Sequence, residues 1–427
     1  MPLSQFKIPS NWEISEFSKI AELRHGYQFR NYDYTEKGIR IFKITQIKAN
    51  GSIDLSACSF IDSNRISQFD RIVLNKGDIL MALTGATIGK IARFNSDELV
   101  LQNYRVGNFF SQDEKILSKD FLYHFLRSDY FFNQLLARQT QSAQQNIGKD
   151  DINNMSVFLP PITEQHAIAS ILSALDDKIE NNLAMNRTLE EMAMALYNHW
   201  FVDFGQFQDG KFVPSELGDI PEGWETKGLL EITDLLTGGT PKTKVEEYWN
   251  GNIPWVSAKD LANSGSIYTT STERTISEKG LKHSAAKILP EDSVIIVARG
   301  SVGKLGMIAK PMAINQSCFG LNSNGGDYSP GLIYLLITRL VDRFQRISYG
   351  SVFDTITTSS FSTTKIVCPP SALVKELASL IDPMFLKIKQ NTIENETLTN
   401  LRDTILPKLI NGEVRLKEFE ETIANVL

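Results

Sequence analysis

The sequence has few cysteines and histidines and no long apolar run. The three cysteines, Cys58, Cys318 and Cys368, fit neither a disulfide framework nor a metal site, which suits a reducing compartment. No stretch approaches the roughly 20 apolar residues of a membrane span, and the N-terminus lacks the plan of a signal peptide. We therefore expect a cytoplasmic protein. The five histidines are scattered without ligand spacing, and we expect no metal site among them: His25, His124, His166, His199 and His283.

Signatures of common catalytic sites are missing as well. Gly85–Lys90 (GATIGK) is similar to a phosphate-binding loop, but three residues separate its glycines and Ile91 follows its lysine. The phosphate-binding pattern requires four residues between the glycines and a Ser or Thr after the lysine. Arg299–Lys304 (RGSVGK) fits no better. A G-x-S-x-G elbow, an H-E-x-x-H pair and a Pro-Pro-Tyr methyltransferase motif are absent. These absences favour a binding protein over an enzyme.

The charge balance is slightly acidic. The 427 residues include 44 Lys and Arg against 50 Asp and Glu, for a formal net charge of −6, and 42% of them are hydrophobic. This composition is typical of a folded chain with two or more domains and excludes a disordered tail. Taken alone, the excess of acid argues against nucleic acid as a partner.

The sequence contains one long internal repeat. The first copy opens with IPSNWE and the second with IPEGWE, so Trp12 matches Trp224 at an offset of 212 residues. GDILMALTGATIGK matches EDSVIIVARGSVGK at an offset of 214, which places Gln102 on Gln316. LPPITEQHAIASIL matches CPPSALVKELASLI at an offset of 209. The repeat predicts a globular part and a helix, each present twice.

The predicted fold class is α/β. Each globular part mixes short apolar runs with Gly, Asn and Ser turns and ends in an amphipathic helix. We predict two such domains, separated by two long antiparallel coiled-coil helices in a pseudo-twofold internal repeat. The predicted boundaries are residues 1–158 for the first globular domain, 159–212 for the first helical spacer, 213–368 for the second globular domain and 369–427 for the second spacer with its tail.

Two helical seams follow from the spacing of apolar residues. Residues 162–204 contain neither Gly nor Pro, and Thr163 after Pro160 and Pro161 is the expected N-cap. Spacings of three and four form a coiled-coil seam through Ile168, Leu172, Leu175, Ile179, Asn182, Asn186, Leu189, Ala193, Leu196 and Trp200. The offset of 209 gives the second seam: Leu377, Ile381, Met384, Ile388, Asn391, Asn395, Leu398, Arg402, Ile405 and Leu409.

The asparagines in the seams predict the pairing of the helices. Because each pair is central, an antiparallel arrangement brings Asn182 opposite Asn395 and Asn186 opposite Asn391. Buried asparagine weakens a seam but fixes its register, since a slip would place an amide against leucine. Pro383 predicts a kink or a late start of the second helix.

One seam position carries charge. Arg402 is expected near the edge of the seam, with its stem buried and its head in water.

Several segments resemble the specificity subunits of type I restriction–modification systems. LPPITEQHAIASILSALDDKIENN, followed by Leu189-Glu-Glu-Met and HWFVDF, is similar to their conserved helical region, and LPKLINGEVRL to their C-terminal conserved region. TGGTPKT, IPWVSAKDL and ARGSVGK are similar to recurring stretches of their target recognition domains. In the first globular domain, Leu23–Tyr27 replaces the Gly-Gly-Thr-Pro turn and Lys43 stands in the place of Trp255.

The resemblance implies a non-catalytic DNA-recognition subunit. Each globular domain would recognise one half of a bipartite double-stranded DNA site from the major groove. The helices, roughly 60 Å long, would separate the two domains by more than one turn of B-DNA, which is roughly 34 Å. They would therefore set the length of an unread spacer between the half-sites. Modification (methyltransferase) subunits would dock on the helices, a restriction (translocase and nuclease) subunit would join them, and adenine would be methylated in each half-site. No cofactor is expected on this chain, since S-adenosylmethionine, ATP and magnesium would bind the partner subunits.

The distribution of charge changes the meaning of the net −6. Residues 1–150 hold 19 Lys and Arg against 16 Asp and Glu, whereas residues 151–212 hold 3 against 9. The excess acid therefore lies mainly on the first long helix and is no evidence against DNA. Its acidic residues are expected on an outer face, either as a solvated surface or as a docking surface for a protein: Asp176, Asp177, Glu180, Glu190 and Glu191.

Candidate DNA contacts are loop residues of the types that bind bases or phosphates. In the first domain they are Arg24, Tyr27, Arg30, Lys43, Thr45, Thr84, Thr87, Lys90, Gln102, Asn103, Gln141 and Gln144. In the second they are Thr237, Gly238, Gly239, Thr240, Lys242, Lys244, Ser257, Lys259, Arg299, Ser301, Lys304, Asn315, Gln316, Tyr349 and Ser351. Gly238 and Gly239 are expected to permit a close backbone approach or a positive φ. Tyr27 and Trp255 are expected in the core rather than stacked on bases.

Two other classes of function remain open from the sequence. A coiled-coil scaffold with two protein-binding heads would show no salt-dependent affinity for DNA. An NTP-dependent enzyme would bind nucleotide at Lys90 or Lys304, which the spacing of both loops disfavours.

Overall fold

The computed structural model describes residues 8–48, 51–139, 147–349 and 355–414. The chain divides into two compact units, one formed by residues 1–177 with 399–427 and the other by residues 178–398. Each unit contains one globular head and a part of each of two long helices. None of the described helices is both long enough and apolar enough to cross a membrane.

The first head contains two four-stranded sheets and one strand pair, ordered β2-β9-β6-β7, β3-β5-β4-β8 and β1-β10. Its strands are β1 (Glu13–Glu16), β2 (Ala21–His25), β3 (Tyr34–Thr35), β4 (Ile39–Phe42), β5 (Ser59–Ile61), β6 (Ile79–Ala82), β7 (Ile91–Arg93), β8 (Val100–Gln102), β9 (Val106–Ser111) and β10 (Ser156–Leu159). Its helices are α1 (Phe17–Ile20), α2 (Lys119–Leu126), α3 (Asp129–Gln139) and α4 (Lys149–Asn153), and the long helix α5 (Ile162–Phe201) follows.

The second head has the sheet orders β14-β22-β19-β20-β16 and β17-β15-β21-β18, with strand pairs β11-β12 and β13-β23. Its strands are β11 (Phe212–Ser215), β12 (Gly218–Pro221), β13 (Glu225–Gly228), β14 (Thr233–Thr237), β15 (Trp249–Val256), β16 (Tyr268–Thr269), β17 (Thr275–Ile276), β18 (Ile288–Leu289), β19 (Val294–Val297), β20 (Leu305–Ile308), β21 (Met312–Ile314), β22 (Cys318–Ser323) and β23 (Lys365–Cys368). Its helices are α6 (Ala258–Asn263), α7 (Glu278–Lys282), α8 (Pro330–Tyr349) and α9 (Thr358–Ser362), and the long helix α10 (Ser371–Ile410) follows.

The two heads share most of their topology, since β2-β9-β6-β7 matches β14-β22-β19-β20 and β5-β4-β8 matches β17-β15-β21. This confirms the predicted duplicated α/β fold. Strands β4 and β8 are parallel and pair Phe42 with Gln102, while β15 and β21 are parallel and pair Val256 with Ile314. Lys43 therefore corresponds to Ser257 rather than to Trp255. In the same way Gln102 corresponds to Ile314, so its predicted match to Gln316 is wrong by two residues.

The central strand of each head lies between two apolar layers. On β6, Ile79 and Met81 pack in one core cluster and Leu80 and Ala82 in another. Strand β19 divides its side chains in the same way. Successive side chains of a strand point to opposite faces, so a strand covered on both faces needs an unbroken apolar run. The runs ILMA and VIIV meet that need.

Both long helices contain 40 residues. The amides of Glu164 and Gln165 donate to the carbonyl of Pro161. Thr163 thus lies inside the first turn, and its prediction as N-cap is wrong. Helix α10 begins at Ser371, well before Pro383. Of the kink or late start predicted from this proline, the late start is wrong and the kink stays a prediction.

Candidate nucleic-acid interface

In the second head, the glycine turn after β14 is pressed against the chain that leaves β21. The amide of Gly239 donates to the carbonyl of Ile314 at 3.0 Å. A Cβ on Gly238 would lie 2.0 Å from the carbonyl oxygen of Asn315, so only glycine fits there. Of the two roles predicted for these glycines, close backbone approach is the one they fulfil. The buried Trp255 secures the turn by donating from Nε1 to the carbonyl of Gly239 at 2.9 Å.

Two further segments meet this turn. Thr240 Oγ1 donates to Gln316 Oε1, which links the turn to the residues after β21. The side-chain oxygen of Asn315 accepts from the amide of Ser317 at 3.0 Å. The carbonyl of Ser317 in turn accepts from the amide of Ala298 at 2.7 Å, at the start of the β19–β20 hairpin loop. The glycine turn, the segment after β21 and this loop therefore form one cluster.

The first head builds the same cluster from a different sequence. The amide of Tyr27 donates to the carbonyl of Gln102 at 3.0 Å, and a Cβ on Gly26 would lie 2.1 Å from that carbonyl oxygen. Gly26 therefore takes the place of Gly238, although Leu23–Tyr27 has no Gly-Gly-Thr-Pro turn. The amide of Leu83 donates to the carbonyl of Arg105 at 3.0 Å, which adds the β6–β7 hairpin loop.

The loops that resemble phosphate-binding loops are hairpin turns. Gly85–Lys90 connects β6 to the antiparallel strand β7, and Arg299–Lys304 connects β19 to the antiparallel strand β20. A phosphate-binding loop opens instead onto the N-terminus of a helix, whose amides hold the phosphate. Because both loops lead into a strand, neither has the helix N-terminus that a nucleotide site of this kind requires.

The exposure of the predicted contacts varies. In the first head Arg24, Tyr27, Arg30 and Thr45 are exposed, and in the second Thr237, Lys242, Lys244, Lys259, Arg299, Ser301, Lys304 and Gln316. Lys43, Thr84, Thr87, Lys90, Gly238, Thr240 and Ser257 are half-buried, and Gln102, Asn103, Gly239 and Asn315 are buried. Gln141, Gln144 and Ser351 lie outside the described residues, as does the side chain of Tyr349.

Several predicted contacts have structural partners. Gln102 Nε2 donates to the carbonyls of Arg24 and Val106. The hydroxyl of Ser257 caps α6, and Lys259 pairs with Glu273 at 2.6 Å. These side chains stabilise the loops, and their polar atoms are less available to DNA than those of Arg299 and Lys304, for which no ion pair occurs within the described chain.

The core position predicted for Tyr27 is wrong, whereas that for Trp255 is confirmed. Tyr27 is 43% exposed and packs edge-to-face against Phe29 and Phe69. Its ring lies at the rim of this aromatic cluster. Trp255 is only 6% exposed.

Burial suppresses the reactivity of one cysteine. It raises the pKa of the Cys318 thiol to about 12, so the thiolate is scarce at neutral pH. Among the described residues, no group of His, Cys, Asp and Glu could hold a metal ion.

Sequence reasoning missed exposed arginines of the second head at two places, one of them beside the glycine turn. The guanidinium of Arg274 lies 3.5 Å from the ring centroid of Trp249 and 5.9 Å from that of Trp255, so aromatic rings hold it in place. No local signal marks Arg274, because it precedes β17 whereas its tryptophans lie on β15. The second set does have a signal in its helical spacing: Arg339, Arg343 and Arg346 on α8.

In the second unit, α5 and α10 meet through the pairs that the antiparallel register predicts. Asn182 Nδ2 donates to Asn395 Oδ1 at 2.9 Å, and Asn391 Nδ2 donates to Asn186 Oδ1 at 2.9 Å. All four asparagines are buried. Asn182 Nδ2 also donates to Glu394, and this bond lowers the pKa of that carboxyl below its usual value. Amide pairs thus replace apolar contacts in the middle of the seam.

In the first unit, the guanidinium of Arg402 pairs with a carboxylate of α5. Its Nη1 donates to Asp176 Oδ1 at 2.8 Å, and Asp176 also pairs with Arg127. The three side chains are only 15–22% exposed. Burial raises the pKa of Asp176, but the two guanidiniums outweigh it and hold that pKa below its usual value. The predicted solvated head of Arg402 is therefore wrong.

The predicted acidic face of α5 is only partly free. Asp177, Glu180 and Glu191 are exposed. Asp176 is paired as described, and Glu190 accepts from the hydroxyl of Tyr334 at 2.8 Å.

The fold and these contacts define a class of protein: a duplicated chain in which two α/β heads with the same loop cluster alternate with two long helices. The sequence model of one family, described as the type I restriction modification DNA specificity domain, matches residues 9–191 and 221–400. The chain belongs to this family, and its function is DNA sequence specificity in a type I restriction–modification system.

Relatives of similar length agree with this assignment. The chain is 26% identical to the type I restriction enzyme HindI specificity subunit of Haemophilus influenzae, over 80% of this chain and 87% of that protein. It is 26% identical to the MjaIX specificity subunit of Methanocaldococcus jannaschii, over 97% of this chain and 96% of the relative. The crystal structure of the type I restriction–modification S subunit from M. genitalium matches with a TM-score of 0.57 at 18% identity, over 96% of this chain and 98% of that one, and shows the same fold.

Proposed function

We propose that this chain is the recognition subunit of a type I complex and that each head recognises one half of a bipartite site in double-stranded DNA. The observation that carries the proposal is the duplicated cluster of glycine turn, strand end and hairpin loop. Gly26 and Gly238 occupy the same place in the two clusters. The side chains around them differ, since Thr84 of the first hairpin loop corresponds to Arg299 of the second. Two similar frameworks with different side chains suit two different half-sites.

The long helices bind the modification subunits. In the second unit, exposed apolar residues lie on both helices among charged neighbours, as in the core of a protein interface. They are Met185 (44% exposed) and Met192 (49%) on α5, and Leu386 (56%) and Ile393 (44%) on α10. The helices also set the length of the spacer that neither head recognises.

Catalysis belongs to the partner subunits. The modification subunits bind S-adenosylmethionine and methylate adenine in each half-site, and the restriction subunit uses ATP and magnesium. The hairpin geometry at Lys90 and Lys304 supports this division, since neither loop opens onto a helix. The complex acts in the cytoplasm, where a reducing milieu keeps the three cysteines free.

Mapping of methylated adenines tests the proposal directly. In cells that express the modification subunit, methylation of one bipartite motif should require this chain. Arg299→Ala should alter or relax the motif in one half only, because base contacts specify sequence. Lys227→Ala is a matched control, since Lys227 lies in β13, outside the loop cluster, and pairs with Glu225. Unchanged methylation with and without the chain would contradict the proposal and favour the scaffold alternative.

A further inference from the structure

The second half of α8 carries a row of arginines on its outer face. Arg339, Arg343 and Arg346 follow one another at spacings of four and three, so they lie on one side of the helix. All three are exposed and line an open surface depression together with Asp342. The opposite side of α8 is buried in the core of the second unit through residues such as Ile333, Ile337 and Phe344.

Helix α8 packs on the hairpin loop of the second cluster through a different side from the one that carries the row. Gln345 Nε2 donates to the carbonyl of Val302 at 2.9 Å. A Cβ on Gly303 would lie 2.7 Å from Gln345 Nε2 and 2.9 Å from Val341 Cγ1, so α8 packs directly on the loop. This loop also presents Arg299 and Lys304, both exposed. Helix and loop therefore combine five exposed cations with a single carboxylate.

A merely solvated face does not account for the row. Within the described chain, none of the three arginines forms an ion pair, and like charges at these spacings destabilise a helix. Only Arg346, in the last turn, gains from the helix dipole. A polyanion would offset the repulsion among all three.

Among the described residues of the first head there is no such row, although α3 packs on its hairpin loop in the same way. A Cβ on Gly89 would lie 2.7 Å from the ring of Phe132. The exposed side chains of α3 include Phe132 and Leu136, each 39% exposed, and Arg138 is bonded to the carbonyls of Gln134 and Asn154. The duplication thus conserves the helix but not its charge.

We propose that Arg339, Arg343 and Arg346 bind DNA phosphates beside the half-site of the second head, supplying affinity without sequence preference. The proposal rests on the proposed DNA-recognition function and adds residues that act only on the backbone. It makes the second head the stronger electrostatic anchor of the two, although the net charge of residues 213–368 is close to zero, with 15 Lys and Arg against 16 Asp and Glu.

The test measures salt dependence. The full chain, assembled with its modification subunits, is titrated with a fluorescent 30-bp duplex of random sequence over a series of KCl concentrations. Each phosphate contact contributes about 0.9 to the slope of log K against log salt. Changing all three arginines to Gln should therefore lower that slope by about 2 to 3. Changing them to Lys should retain most of it, and Asp342→Asn should tighten binding.

Controls separate the row from general charge and from the proposed function. The triple change Lys211→Gln, Lys227→Gln and Lys365→Gln removes the same charge from residues that pair with glutamates and lie outside α8 and the loop cluster, and it should leave the slope unchanged. The methylated motif of the arginine variant should also stay the same. An unchanged slope in a variant whose complex still methylates its motif would overturn this inference alone. The absence of any chain-dependent motif would overturn the proposed function and this inference with it.

Discussion

The carboxylate of Asp176 pairs with two arginines. It accepts from Arg127 of the head and from Arg402 of α10, and all three side chains are largely buried. Asp176→Asn would leave Arg127 without its carboxylate and Arg402 with Asp403 alone, and we expect it to destabilise the first unit by about 3 kcal/mol. Urea unfolding and hydrogen exchange of α2 would measure the loss. Asp177→Asn is the control, since the neighbouring carboxylate is exposed; equal stability of the two variants would contradict the expectation.

His124 should make the first unit sensitive to mild acid. Burial lowers its pKa to about 3, with smaller effects from Arg127, Asp176, Arg93 and Arg402. In the unfolded chain the pKa is about 6.5, so below pH 6.5 only the unfolded state binds the proton, and the free energy of unfolding falls by about 1.4 kcal/mol per pH unit.

The histidine effect can be isolated by substitution. His124 bonds Ser173, and His124→Gln retains a polar group there. Between pH 7 and pH 5, the variant should lose about 2 kcal/mol less unfolding free energy than the natural chain. His166→Gln, at an exposed site of α5, should behave like the natural chain. The same pH dependence in all three proteins would rule out the role of His124.

The interaction partners of individual charged residues were the feature least predictable from the sequence. The seam spacing identified Arg402 as a charged residue among apolar ones, but Asp176 and Arg127 come from distant parts of the sequence. Arg274 is a similar case, because its position depends on tryptophans of β15. Local sequence determines which charges are placed near an apolar seam or loop, whereas their partners depend on tertiary packing.

At the level of elements, the amide pairs of the second unit should act as a register device. Asn186→Leu leaves the buried side-chain amide of Asn391 without its acceptor, and we expect a cost of about 1–3 kcal/mol in unfolding free energy. Asn186→Leu combined with Asn391→Leu restores an apolar layer and should recover most of that stability. A double-mutant cycle by urea unfolding measures the coupling.

The control is the same double-mutant cycle at an apolar layer of the seam. Leu189 and Ile388 pack in one core cluster, and Leu189→Ala and Ile388→Ala should both destabilise without mutual rescue. Additive effects of the two asparagine changes, with no recovery in the double variant, would contradict the assigned pairing.

The long helices were predictable because their signals are local and repeated. Apolar spacing and central asparagines gave the extent and the antiparallel register. Their ends were less certain, since Pro161 accepts the first helical bonds where Thr163 was expected, and Pro383 is accommodated inside α10. Proline restricts the preceding turn, and tertiary packing decides whether a helix continues through it.

At the level of the molecule, the repeat predicted the duplication, but not the sheets. The strands are short, and key pairings join distant segments, as between β4 and β8 or β15 and β21. Such non-local pairs have no sequence signature of their own. The loop cluster was partly predictable, because its residues follow strand ends and glycine turns. The equivalence of Gly26 and Gly238 required the structure, since one turn has two glycines and the other has one.

The heads should act independently in sequence recognition. Each head has core clusters of its own, and β1 pairs with β10 through Glu13 and Leu159, so a cut after Leu159 keeps the first head intact. Exchange of residues 1–159 for the matching part of a relative should change one half-site of the methylated motif and leave the other half and the spacer unchanged, because the loops that contact bases move with the head. Exchange of residues 213–368 is the reciprocal control and should change only the other half. Methylome mapping of both chimeras checks the outcome, and a chimera that alters both halves at once would show that the two recognition events are coupled.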